Sequence, residues 1–360
     1  MKINFTLFGA GLTGGSFNLI EPAQRLAKRG HEISITSIGK PGDMSWFESR
    51  EKPLFKQIFT PVAGSFVYRV YRRLLRPTIL HPFPDVEIKD LIRSIPECDV
   101  NIATSAPTTF AVHRAGKGKG FYYAQHYDSL FGADSLQNRI HDESYFLPLE
   151  KIAVASWLKD IVEERLKVAV PHVITAGIDE GIFRPTDGLR PKDKIRVISL
   201  GRKVSWKGFE ELRTAMAQIM SKYNSVEWTV FSSRDTPEST LQAPFSLHLS
   251  PYGKDLAALY SSSHICVNPS WHEGFSQPAL EAMSCGCAVI TTSIGAEDFI
   301  KDGENCLVVP PKNPEAIKNA LERLINDDAL RQKISQGALE TAQHFYWDNI
   351  IDKWESVLKG

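Results

Sequence analysis

Residues 264–286 read HICVNPSWHEGFSQPALEAMSCG, and this stretch decides the fold. His264 to Val267 is a short apolar run that predicts a buried strand. Pro269, Trp271 and Gly274 mark a polar loop. Pro278 to Met283 is a good helix-forming run with proline in its first turn. Strand, glycine loop and helix N-terminus together make an anion site, because unpaired amides and the helix dipole both favour negative charge. Glu273 sits in the loop, and Glu281 follows eight residues later, about one turn into the helix.

Acidic side chains beside an anion site need a reason. Phosphate repels them at contact distance, so they suit the hydroxyl-rich parts of a ligand, since a carboxylate accepts from two vicinal hydroxyls at once. A sugar nucleotide has that layout: sugar, diphosphate, ribose, base. The plainer reading, two solvated glutamates on a loop and a helix, fits the spacing equally well.

The segment Glu273 to Gly286 resembles the E-x7-E motif of retaining glycosyltransferases of the GT-B fold, particularly glycosyltransferase family 4. Gly201 to Gly208 (GRKVSWKG) resembles that family's G-R-x4-K-G segment. Val154-Ala-Ser-Trp-Leu158, Gly177-Ile-Asp179 and Phe183-Arg-Pro185 resemble its S-x-[WF]-L, G-[IV]-D and F-x-P series. Gly303 to Pro310 resembles its D-G-x-N-G-x-L-V-x-P turn. The resemblance covers nearly the whole chain, more firmly after about residue 150. It implies an α/β protein of GT-B fold: two Rossmann-like doubly wound domains facing each other across a cleft. The expected domains are 1–177 on the acceptor side and 178–345 on the nucleotide-sugar side, with helix 346–360 crossing back onto the first.

The chain has 360 residues, which suggests two domains. Lys+Arg and Asp+Glu are both 42, so no global charge points to nucleic acid. Cys98, Cys266, Cys285, Cys287 and Cys306 are scattered; Cys285-Gly-Cys287 is too cramped for an ordinary disulfide and lacks a second pair for zinc. Reduced, buried cysteines in a cytoplasmic protein are the expectation. The N-terminus, MKINFTLFGAGLTGG, reads as a first strand rather than a signal peptide. No run reaches the roughly 18 apolar residues of a spanning helix.

In chain order, Ile3 to Phe8 predicts a strand, followed by a glycine-rich loop and a helix from Phe17 to Lys28 capped by Ser16. His31 to Ile38 predicts the next strand. Gly9, Gly11 and Gly14 form G-x-G-x-x-G, the dinucleotide fingerprint, which makes NAD binding the rival reading. That fingerprint wants a carboxylate at the end of the second strand, and Thr36-Ser-Ile-Gly-Lys40 has none. Gly11, Gly14 and Gly15 suit close approach of a diphosphate or an acceptor. Residues 65–76 (SFVYRVYRRLLR) gather four arginines opposite an apolar helical face. A peripheral membrane or anionic-acceptor patch is the functional reading; a half-buried helix with a solvated charged face is preferred. Two further strands are expected at 99–105 and 120–125, with a helix at 109–114. His126 follows the second, where ligands sit in α/β sheets, and resembles the family's active-site histidine facing the donor sugar. Residues 177–194, rich in Gly, Pro and charge, read as the interdomain linker. Alternating strands and helices then resume from Ile195.

Sugar transfer requires a stabilised diphosphate leaving group. No two aspartates lie two apart, so the metal-holding D-x-D device is absent and no metal or other cofactor is expected. By resemblance, Arg202 and Lys207 bind the diphosphate, where charge-assisted contacts strengthen as charge develops. Glu281 is assigned the ribose hydroxyls and Glu273 the transferred sugar, with amides near Gly274, Phe275 and Ser276 assisting. A UDP-sugar is the first expectation for the donor and a GDP-sugar the next; a sugar, lipid-linked or small-molecule acceptor receives the sugar. Ser276 and Gln277 depart from the family's Gly and Leu, and Cys306 from its glycine. A nucleotide-sugar epimerase, a phosphorylase or a non-catalytic sugar-nucleotide sensor are the alternatives.

Overall fold

The computed structural model describes residues 1–8, 14–38, 47, 52–60, 85–127, 136–232, 238 and 242–360. Gly11 and residues 65–76, for which a glycine-loop contact and a basic patch were expected, lie outside them. The chain divides into two compact units: Met1–Thr175 with Ile351–Gly360, and Ala176–Ile350.

The first unit has a parallel seven-stranded sheet of β1 (Lys2–Leu7), β2 (Glu32–Ile38), β3 (Lys56–Thr60), β4 (Val100–Ala103), β5 (Lys119–Ala124), β6 (Glu150–Ala153) and β7 (His172–Val173). The spatial order is β3-β2-β1-β4-β5-β6-β7. Its helices are α1 (Gly14–Lys28), α2 (Asp85–Ser94), α3 (Ala106–Ala115), α4 (Leu136–Phe146) and α5 (Ser156–Leu166). The sheet is covered on both faces, so β1 and β4 bury every residue from Ile3 to Leu7 and from Val100 to Ala103. Burial of Asn4, Thr6, Thr36 and Asn101 is tolerated because they bond one another: Asn4 Nδ2 donates to Asn101 Oδ1 at 3.1 Å, and Thr36 Oγ1 to Asn4 Oδ1 at 2.9 Å.

The second unit repeats the plan with β8 (Ile195–Leu200), β9 (Val226–Ser232), β10 (Ser246–Leu249), β11 (Ile265–Asn268), β12 (Ala288–Thr291) and β13 (Leu307–Val308), in the order β10-β9-β8-β11-β12-β13. Its helices are α6 (Phe209–Lys222), α7 (Lys254–Ser261), α8 (Gln277–Ser284), α9 (Pro314–Asn326) and α10 (Asp328–Gln343). The last helix, α11 (Trp347–Lys359), begins in the second unit and ends in the first. From their own first strand both sheets therefore begin 3-2-1-4-5-6, with a seventh strand added at the end in the first unit, and this is the doubly wound order whose direction reverses between strands one and four. That reversal lies at β1/β4 in the first unit and at β8/β11 in the second.

Two readings are corrected. Helix α1 starts at Gly14, so Ser16 is a helical residue and not its cap; Gly14 and Gly15 are the first turn rather than the loop. Residues 177–194 are not a free linker. Ile178 and Phe183 are buried, Ile178 N donates to Phe345 O at 2.8 Å, and Ser284 Oγ donates to Phe183 O at 2.6 Å. The segment is a strap packed into the second unit. Strand β3 and helices α2 and α4 were not anticipated at all.

Candidate functional site

The reversal point of the second sheet gathers most of the expected residues. Arg202 follows β8, and Ser205–Lys207 forms one turn of 3-10 helix. Gly208 ends it at φ +67°, a backbone that side chains rarely adopt, and a Cβ there would lie 2.1 Å from the Pro269 carbonyl oxygen. Glycine at 208 thus lets the loop after β8 press against the loop after β11. Trp271 N donates to Trp206 O at 2.7 Å across the same seam. The ring of Trp271 is fixed on its other side, with Nε1 donating to Glu211 Oε1 at 3.0 Å and Lys312 Nζ lying 4.1 Å from the ring centre.

This packing sets Lys207 Nζ 2.7 Å from both carboxylate oxygens of Glu273. The two side chains are 20% and 11% exposed, so the pair is partly desolvated and its attraction is less screened than that of a surface ion pair. Glu273 is held in turn by the turn after β12. Glu273 N donates to Ile294 O at 3.2 Å, and Ser276 N to Gly295 O at 2.7 Å. Gly295 has φ +92°, and a Cβ would lie 2.5 Å from Glu273 O. Gly295 N donates to Glu297 Oε2 at 2.8 Å; burial pushes the Glu297 carboxyl above its ordinary range.

Helix α8 begins at Gln277 with Ser276 before it and proline in the first turn. Gly274, Phe275 and Ser276 are all buried at its entry. Glu281 is only 8% exposed, and its charge helps to raise the Tyr260 hydroxyl and the Cys266 thiol, both already raised by burial. The two family departures have structural work to do. Ser276 Oγ accepts from Asn268 Nδ2 at 2.7 Å, and Gln277 Nε2 donates to Gly177 O at 3.0 Å, tying α8 to the strap. Cys306 is fully buried and its thiol is pushed up to about 12, chiefly by burial.

In the first unit, His126 lies just beyond β5 and is exposed. Its carbonyl accepts from Tyr145 Oη at 3.1 Å. His126 and Gly15 line one cavity of about 300 Å³, with Thr104, Gln125 and His141 among the other walls. The structure thus brings Arg202, Lys207, Glu273, Gly274, Phe275, Ser276 and Glu281 to one end of the second unit. It brings Gly15 and His126 together in the first. The sequence reading missed Asn268 and Gly295, and it quoted Gly208 as the end of a motif without the loop contact that it permits; Gly295 left a signal, as an isolated glycine a few residues beyond a strand end.

Residues 194–327 match the family described as Glycosyl transferases group 1. The matched segment lies wholly within the second unit. An uncharacterized glycosyltransferase of Methanocaldococcus jannaschii is 25% identical, with 94% of this chain aligned to 92% of the relative. Among solved structures, sucrose-phosphate synthase from Thermosynechococcus elongatus superposes with a TM-score of 0.79 at 18% identity, covering 100% of this chain and 98% of that one. HepE of Anabaena, in complex with UDP-glucose, gives 0.79 at 16% identity, with 100% and 99% covered. The fold is GT-B, with two Rossmann-like parallel sheets. The matched group 1 segment includes Arg202, Lys207, Glu273 and Glu281, the residues clustered at the β8/β11 reversal.

Proposed function

We propose that this chain moves a sugar from a nucleoside-diphosphate sugar to an acceptor hydroxyl, with retention of anomeric configuration and without a metal ion. The observation that carries the proposal is the Lys207–Glu273 pair, 2.7 Å apart at the reversal point of the second sheet. An ammonium and a carboxylate held together there meet opposite needs of one ligand. Lys207, with Arg202, neutralises the departing diphosphate. Glu273 accepts from hydroxyls of the transferred sugar. Until a donor arrives, each neutralises the other.

Glu281 is assigned the ribose hydroxyls, and amides near Gly274, Phe275 and Ser276 the donor sugar or phosphate. His126 is assigned to the donor sugar from the first unit, and the glycines Gly11, Gly14 and Gly15 to diphosphate or acceptor approach. The bond from the anomeric carbon to the diphosphate oxygen breaks, and the acceptor oxygen forms the new bond on the same face. The departing phosphate oxygen takes the acceptor's proton, so no protein carboxylate acts as nucleophile. Glycan, polysaccharide or glycolipid synthesis is the setting this chemistry serves, at or near the cytoplasmic side of a membrane; among the described residues no helix is long and apolar enough to cross one.

UDP is the first probe, because HepE was solved with UDP-glucose, and GDP is the next. Calorimetry with each nucleotide, with and without a chelator, tests binding. Loss of binding in chelator removes the metal-free claim. Turnover of an anomerically labelled donor, with the product's configuration read by NMR, separates a retaining transferase from an inverting one, an epimerase and a non-catalytic sensor.

A further inference from the structure

The turn from Ser293 to Glu297 grips the loop that carries Glu273 at two points. Ile294 O accepts from Glu273 N at 3.2 Å, and Gly295 O accepts from Ser276 N at 2.7 Å. The approach is close enough that residue 295 must be glycine: its φ is +92°, and a Cβ would lie 2.5 Å from Glu273 O and 2.7 Å from Glu273 Cβ. Glycine, however, is the residue that restricts its own backbone least. The close fit therefore depends on a residue that other groups must hold in shape.

Two bonds within the turn do this. Ala296 N donates to Ser293 O at 2.8 Å, which closes the turn on itself. Glu297 then reaches back over its own turn, and its Oε2 accepts from Gly295 N at 2.8 Å. An amide donating to a carboxylate is a charge-assisted bond, stronger than one between neutral groups. Burial raises the Glu297 carboxyl, and the Gly295 amide pulls it back toward the ionised form. Gly295 is thus bonded on both sides, by its N–H to Glu297 and by its carbonyl to Ser276.

The nucleotide half of the candidate site is anchored elsewhere. Lys207 stands on the loop after β8, fixed by Gly208 against Pro269. Glu281 stands on α8, which is tied down by Gln277 Nε2 donating to Gly177 O and by Ser284 Oγ donating to Phe183 O. Loosening the turn therefore falls on Glu273 before it reaches either of them.

We infer that Glu297 is a positioning residue: through Gly295 it sets where Glu273 meets the transferred sugar, while the nucleoside diphosphate is held by other groups. The inference rests on the glycosyl-transfer reading, in which Glu273 accepts from hydroxyls of that sugar.

The test uses the full chain and two variants, Glu297→Ala and Glu297→Gln. UDP-glucose, UDP-galactose, UDP-N-acetylglucosamine and GDP-mannose are offered to the wild type, and the donor hydrolysed fastest is kept. In Glu297→Ala, kcat/KM for that donor is expected to fall about tenfold, the scale of one hydrogen bond to a charged group. Calorimetry with the matching nucleoside diphosphate is expected to show an unchanged affinity. Glu297→Gln, whose amide oxygen still accepts from Gly295 N, is expected to recover most of the activity. Deuterium exchange is expected to quicken in Glu297→Ala at residues 293–297 and 273–276, and to stay slow in Glu297→Gln. An equal loss of nucleoside diphosphate affinity would overturn the inference by making Glu297 a support for the whole site. Unchanged kcat/KM in Glu297→Ala, or no recovery in Glu297→Gln, would overturn it too. Unchanged exchange in Glu297→Ala would remove the tether whatever the donors do. Failure of the wild type to hydrolyse any of the donors would instead count against the glycosyl-transfer reading itself.

Discussion

Glu273 and Lys207 lie 66 residues apart in sequence, yet their side chains form one ion pair. Each was legible on its own, from the motif it resembles, but their pairing was not, because nothing local records which loops the sheet order brings together. Glu281 shows the complementary difficulty: its spacing from Glu273 is plain, whereas its burial at 8% exposure depends on how α8 packs. Glu281→Ala is expected to weaken UDP binding by about 1.5–3 kcal/mol, the range for a hydrogen bond to a charged group. Calorimetry reads this directly, and unchanged affinity would return Glu281 to a structural role. His264, just before β11, carries a second prediction. Burial, then the charges of Arg190, Arg331 and Arg196, push its imidazole down to about 4, and Nδ1 accepts from Arg196 N at 3.1 Å. Its ordinary value is 6.5, so the unfolded chain takes up a proton that the folded chain refuses. The stability is full above about 6.5 and is lost as pH falls toward about 4, by roughly 1–2 kcal/mol after allowance for partial solvent screening. Denaturant titrations across that window should show the loss, and His264→Gln should flatten it; an identical pH profile in the variant would refute the assignment.

At the scale of elements, the strands and helices from Ile195 onward were readable because apolar runs alternate with strongly amphipathic helices. Helix α4 was not: LQNRIHDESYF (residues 136–146) has no clean apolar stripe, and it is placed by the packing of Tyr145 and His141 among Tyr122 and Tyr127. The start of α1 was misread because two glycines argue against a helix, whereas the sheet's first turn places them in one. The strap at 177–194 looked like a linker because it is rich in glycine, proline and charge; of its four large apolar residues, Ile178 and Phe183 are the buried ones that hold it down. Gly208 belongs to this scale, since it sets how closely two loops approach. Gly208→Ala meets both a left-handed backbone and the Pro269 carbonyl, so a destabilisation of about 2–5 kcal/mol is expected. The same variant should lose UDP affinity where it still folds, because Lys207 is the preceding residue. Thermal melting with calorimetry checks both, and a variant as stable as wild type would show that the seam can open without strain.

At the scale of the whole molecule, α11 supplies both units. Trp347 is fully buried, and its ring would lie 2.4 Å from a Cβ added at Gly177, so the second unit fixes that end of the helix. Trp354 is fully buried in the first unit, with its ring centre 6.0 Å from Phe5 and 4.9 Å from Tyr123. Arg29 Nη1 donates to Asp352 Oδ1 at 2.5 Å, and His31 Nε2 lies 2.7 Å from Glu355. Trp354→Ala should therefore cost the first unit about 3–5 kcal/mol. Calorimetric scanning should show that unit melting earlier than the second, whereas a uniform shift of one transition would mean that the units unfold as one. The same helix has a consequence for biosynthesis. The first unit's strands and helices emerge from the ribosome by Thr175, but its last ten residues, Ile351–Gly360, emerge only after the whole second unit has been made. At about 5–20 residues per second that interval is on the order of 10–35 s. Throughout it, Phe5 and Tyr123 lack the indole that covers them, so the N-terminal unit is the part of the nascent chain that waits, and the part a chaperone would hold.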